Sequence, residues 1–168
     1  MLYVTDEPAE DARADLKCDG TIYPLRGQEI DPQDWILLTR FFQEQQLLRF
    51  AGCMEKAVAT YLHCGFKEKG YLAVAGDMRV FDGDTAYGFD FNPPHEFHVW
   101  LERRSHANRT VVDVSLPGVI ERAHERGYLT HVQPFAIAGS LDDSRVGLWY
   151  NPRVIMDVVA AVAINCNQ

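Results

Sequence analysis

An α+β fold is predicted by the order of the elements. Two amphipathic helical stretches come first, at 31–48 and 53–64, and strand-like segments follow, with none of the βαβ alternation that a parallel sheet needs. The 168 residues, 47% of them hydrophobic, suit one domain with its own core. No repeat, low-complexity tract or linker divides them, so the chain reads as a single domain, 1–168, with its core at 31–168. The polar opening, 1–30, reads as a flexible tail or a lid over the core.

The first helix starts at Asp31-Pro32, where the aspartate caps free amide groups and proline occupies a position whose N–H has no partner. Trp35, Leu37, Leu38, Phe41, Phe42 and Leu48 follow at helical spacing. The second helix begins at Cys53, carries Met54, Ala57, Val58, Tyr61 and Leu62 on its apolar side, and stops at Gly65. Strands are expected at 71–80, 97–102 and 110–116, a helix at 117–126, and shorter strands at 134–138 and 146–150. The apolar run 154–164, broken by Asp157, reads as a terminal core helix too short to cross a membrane.

Charge narrows the partners. With 24 acidic against 16 basic residues the formal charge is −8, which repels phosphate backbones and anionic lipid, so neither nucleic acid nor a membrane is an expected partner. Residues 1–16 hold neither the basic start nor the apolar run of an export signal, which points to the cytoplasm. Cysteines at 18, 53, 64 and 166 form no Cys-x-x-Cys pair, against a zinc ribbon or disulfide framework.

Cys53 stands out because a thiolate is favoured by the unpaired N–H groups and dipole at a helix start. Gly52 beside it permits close approach of a substrate backbone, and the Cys53 N–H is placed to donate to an oxyanion. A base is needed. If 97–102 and 110–116 form a hairpin centred between Ser105 and His106, His98 faces Asp113 on the same sheet side, where the carboxylate orients the imidazole. An aspartate inside Val-Val-Asp-Val also needs a partner to be buried. The expected catalytic set is therefore Cys53, His98 and Asp113.

The run Gly52-Cys53, then His98-Val99-Trp100-Leu101-Glu102, then Asp113-Val114-Ser115 resembles the transglutaminase-like superfamily, with its helix-start cysteine, His-x-Trp-x-Glu-like strand and Asp-Pro-Thr-like strand. Gly65-Phe66 and Val74-Ala75-Gly76 look like that family's Gly-Ile-Pro-x-Arg-x-Val-x-Gly stretch, without its proline and arginine. The likeness covers 53–116 and indicates no subfamily. It implies a papain-like core in which a thiolate attacks an amide or ester carbonyl to give an acyl-enzyme, resolved by water or an amine, with no cofactor. The implied substrate is a peptide, a protein glutamine side chain or a small amide.

Two weaker candidates accompany the triad. Gln46 lies ahead of the cysteine, where papain-like enzymes place an oxyanion-hole glutamine, although Gln-Glu-Gln-Gln also suits a solvated helix end. Trp100 shares the strand face of His98, either walling the triad or as ordinary core. His95, His98 and His106 with Glu96 and Glu102 offer metal-ligand chemistry but lack the His-Glu-x-x-His spacing. Asp82-Gly83-Asp84 reads as a surface turn rather than a calcium loop, and Cys64 as packing. The alternative to an enzyme is a non-catalytic peptide- or protein-binding domain on the same fold.

Overall fold

Strands need neighbours, and the period-two pattern of 71–80 and 97–102 is answered by an eight-stranded sheet in a computed structural model that describes residues 15–18, 21–26, 52–105, 108–141 and 147–157. In chain order the elements are β1 (Asp15–Cys18), β2 (Thr21–Arg26), α1 (Cys53–His63), β3 (Leu72–Asp82), β4 (Thr85–Phe89), β5 (His98–Ser105), β6 (Asn108–Asp113), α2 (Leu116–Glu125), β7 (Ala136–Ser140) and β8 (Leu148–Ile155). The sheet runs β1-β2-β7-β6-β5-β3-β4, with β8 also on β3. All pairs are antiparallel except β2 with β7. The architecture is α+β.

Alternation along the central strands feeds two cores. Ala73, Ala75, Val99, Leu101 and Val112 belong to one with Ala57 of α1, while Val74, Trp100, Val111 and Ile137 belong to the other with Val119, Ile120 and Ala123 of α2. Each helix covers its own face. Gly65 ends α1 at φ +77°, a conformation that side-chain-bearing residues rarely adopt.

Several expectations are corrected. The strand expected over 110–116 ends at Asp113, and α2 starts at Leu116, with Pro117 in its first turn. Val154 and Ile155 do not begin a terminal helix but end β8, paired with Ala75 and Val74. Their β-branched side chains suit a strand, and Pro152 is tolerated because it faces Gly76 beside a register shift. Residues 158–168 and the helix expected over 31–48 lie outside the described residues. Part of the polar opening forms β1 and β2, with Asp19-Gly20 between them, a composition typical of two-residue hairpins. Asp82-Gly83-Asp84 is a turn, as expected: Asp82 pairs with Thr85 and Gly83 has φ +58°.

One arrangement matters for the site. β3 pairs with β5 through Leu72–Gly76, with β4 through Met78–Asp82, and with β8 through Val74–Val80. A strand has two edges, so β4 and β5 lie end to end along one edge of β3 and β8 occupies the other. The chain leaves that edge after Phe89, makes an excursion over 90–97, and returns at His98. Asp77 anchors this excursion. Its Oδ1 accepts the Phe91 N–H at 2.6 Å, and its Oδ2 accepts Asn151 Nδ2 at 2.9 Å and pairs with Arg153 Nε at 3.0 Å. That backbone N–H, with the Asn151 and Arg153 donors, outweighs burial and holds the Asp77 carboxyl below its usual range.

A methyl group on Gly76 would collide with the Asn151 carbonyl oxygen, a backbone atom fixed by the β3–β8 pairing. Gly76→Ala is expected to lower stability by about 1–3 kcal/mol in urea unfolding, an overpacking penalty, whereas Gly118→Ala, where a methyl meets open space, is expected to be tolerated. Equal stability of the two variants would show that β8 yields at this crossing.

Candidate active site

Cys53 is the first residue of α1 and is half-buried, packed at the edge of the α1 core. Gly52, the exposed N-cap, supplies no side-chain cap, so the first-turn N–H groups receive none from that position. Its extended backbone, φ −75° and ψ −179°, suits any residue, and a methyl there would meet only the Glu55 carboxylate, 2.9 Å away. Close approach, not backbone conformation, is what glycine offers here.

His98 opens β5 and Asp113 closes β6, so both lie at one end of the antiparallel pair. The register differs from the expected one. Leu101 pairs with Val112 and Ser105 with Asn108, which moves the hairpin centre to 106–107 and makes the His98–Asp113 contact diagonal rather than directly opposed. A shift of two residues keeps every side chain on its face, so the pair still meets. His98 Nε2 lies 2.7 Å from Asp113 Oδ2, with both side chains about 1% exposed.

The carboxylate has three further donors. Tyr150 Oη–H donates to Oδ2 at 2.7 Å, and Oδ1 accepts the Ser115 N–H at 3.1 Å and the Ser115 hydroxyl at 2.8 Å. Ser115 is the N-cap of α2, yet its hydroxyl serves Asp113 rather than its own helix. Burial alone would raise the Asp113 pKa, but His98, Tyr150 and Ser115 hold it below the usual range. Burial and the adjacent carboxylate push the Tyr150 phenol well above its ordinary value of 10.0, so it stays a donor.

Burial likewise opposes charge on His98, but the Asp113 carboxylate and the hydrogen-bonding Cys53 thiol overcome it and raise the imidazole from 6.5 to about 10. With Nε2 on Asp113, Nδ1 is left for the thiol. Aromatic rings wall the imidazole: Phe89 stacks at 5.6 Å and 5°, Trp100 at 6.1 Å and 20°.

No family model matches this chain, and no curated protein or solved structure matches it significantly. The site is therefore read from its own geometry.

Of the residues expected from sequence, Cys53, His98 and Asp113 converge, and Trp100 stands against the imidazole as one of its walls. Gln46 and His106 lie outside the described residues. Glu102 is not a free ligand: its Oε1 accepts Arg109 Nε at 2.7 Å and Arg104 Nε at 3.1 Å, and its Oε2 accepts Trp100 Nε1 at 2.9 Å and an Arg109 amine at 3.0 Å. Among the described residues no three His, Cys, Asp or Glu side chains converge as a metal set. Cys64 is buried in the α1 core. A cavity of about 400 Å³ lies apart from the triad, lined by Leu72, Val74, Pro152 and Ile155 among others. Among the described residues no helix is long and apolar enough to cross a membrane. Phe89, Ser115 and Tyr150 are the site residues that sequence reasoning missed. For Ser115 a signal existed, since Asp-x-Ser commonly closes through a side-chain-to-backbone turn.

The raised imidazole pKa fixes a direction for stability against pH. A group more basic in the folded chain stabilises it fully below its unfolded value of 6.5, and that contribution disappears as pH rises through about 10. Asp113, shifted down, contributes above 3.8 and loses its contribution in acid. The stability difference between wild type and His98→Gln, followed by urea unfolding, is expected to shrink steadily from pH 6.5 to 10. A pH-independent difference would mean that His98 is buried neutral.

Proposed function

We propose that the protein is a thiol-dependent hydrolase or acyl transferase acting on amides, with Cys53 as nucleophile, His98 as general base and acid, and Asp113 orienting the imidazole. One observation carries the reading: a single buried imidazole is held by a carboxylate at Nε2 and hydrogen-bonds a thiol at a helix start. The same arrangement supports a papain-like, transglutaminase-like core as the finer fold reading, since helix-start thiol, strand imidazole and strand carboxylate occur here in that order.

The chemistry follows from the positions. His98 takes the thiol proton as the sulfur attacks the substrate carbonyl carbon, moving the C=O electron pair onto oxygen. N–H groups of the first turn of α1 stabilise that oxyanion. As the oxyanion collapses, the C–N bond breaks and the leaving nitrogen takes the imidazolium proton, which leaves a thioester on Cys53. Water or an amine then gives a proton to the imidazole and attacks the thioester, and the acid or new amide departs as the thiol reforms. A peptide bond or a glutamine side chain meets these requirements, with no cofactor.

The test is an intact-mass assay with p-nitrophenyl acetate, together with iodoacetamide labelling mapped to each cysteine. Cys53 is expected to acetylate and to alkylate at pH 6, where an unassisted thiol is almost wholly protonated, while buried Cys64 stays unmodified. His98→Ala is expected to slow both reactions of Cys53 by about 10²-fold, at the low end of what a positioned base supplies. Labelling of Cys53 that ignores His98 would instead favour a non-catalytic binding domain.

A further inference from the structure

We propose that Tyr150 is a positioning residue that sets the proton affinity of the triad by sharing the Asp113 oxygen used by the imidazole. This rests on the thiol–imidazole–carboxylate reading above.

The geometry is specific. Tyr150 Oη and His98 Nε2 both lie 2.7 Å from Asp113 Oδ2, and Ser115 fills Oδ1 with two donors. A carboxylate offers about four lone-pair sites, so all are occupied and the group has no freedom to rotate. Each donor also withdraws charge. With the phenol in place, Oδ2 presents less negative charge to the imidazolium than a carboxylate bonded to His98 alone, which keeps the ring acidic enough to protonate a leaving nitrogen.

Tyr150 is itself fixed from three sides. It comes from β8, whose register on β3 pairs it with Met78. Its ring lies against Trp100, with centroids 4.9 Å apart at 59°. Its carbonyl accepts an Arg109 amine at 2.9 Å, and the same guanidinium grips Glu102, which holds the Trp100 indole N–H. A partly buried polar layer beyond the triad thus fixes both the phenol and the indole that stand beside it. The hydroxyl is the one part of this side chain that a phenylalanine filling the same space would lack, and it donates to Asp113.

Tyr150→Phe keeps the ring and removes only the donor. Followed by histidine NMR, with His98 assigned by its loss in His98→Gln, the His98 titration midpoint is expected to rise by on the order of half a pH unit to one unit. Site-specific replacement of Tyr150 by 3,5-difluorotyrosine, a stronger donor of nearly the same shape, is expected to move the midpoint the other way and guards against a phenylalanine variant that fails to fold. Loss of thermal stability in both variants with an unmoved His98 midpoint would overturn the proposal and leave Tyr150 a structural residue. Cys53→Ser separates the two claims. Its midpoint is expected to fall, because the thiol supports the imidazolium. If Cys53→Ser leaves the midpoint in place, the thiol–imidazole pairing fails whatever the Tyr150 variants do.

Discussion

The carboxylate of Asp113 is the constraint on which the rest of the site depends. A charge with about 1% of its side chain exposed is tolerated only when every acceptor position is filled, and here four donors fill them. Those donors come from the start of β5, the N-cap of α2 and the middle of β8. One buried anion therefore fixes where a strand begins, where a helix turns in, and which residue of a strand on the far edge of β3 must face inward. Remove the charge and these elements lose a shared reason for their positions.

The two faces of the sheet divide the work. Cys53 belongs to the α1 core, whereas the imidazole is walled by Phe89 and Trp100, which belong with the α2 core. His98 and Asp113 lie at strand ends, so the thiol meets the ring where the sheet stops separating the two layers. The thiol stays half-exposed at a helix start while the imidazole and carboxylate beside it are sealed. Behind them the Glu102–Arg109 pair holds Trp100 and the Tyr150 carbonyl, so the aromatic wall is supported by a bidentate ion pair rather than by packing alone.

Much of this was legible in the sequence because it rests on local rules. The start of α1 at Cys53, its stop at Gly65 and the placing of His98 and Asp113 on one sheet face follow from periodicity and strand parity, and parity survived a register error of two residues. What stayed hidden was non-local. Tyr150 reads as one more aromatic in Leu148-Trp149-Tyr150, and only the β3–β8 pairing brings its hydroxyl to Asp113. The apolar run after Pro152 resembled a helix because hydrophobicity alone does not distinguish a strand of Val154 and Ile155 from a helical turn. β4 escaped notice because Gly88 interrupts its pattern, yet that glycine is where β4 passes too close to the Met78 carbonyl for a side chain.

The divided edge of β3 has a consequence for how such a site can change over time. β4 and β5 each take their register from β3 independently, so the chain between them can lengthen or shorten without moving His98 or Phe89. Doubling a loop of that kind costs only about 0.6 kcal/mol in closure entropy. The excursion at 90–97 is thus a place where ancestry can graft new recognition beside an unchanged site, provided that the Phe91 N–H stays on Asp77 and the Asn92–Glu96 bridge stays closed.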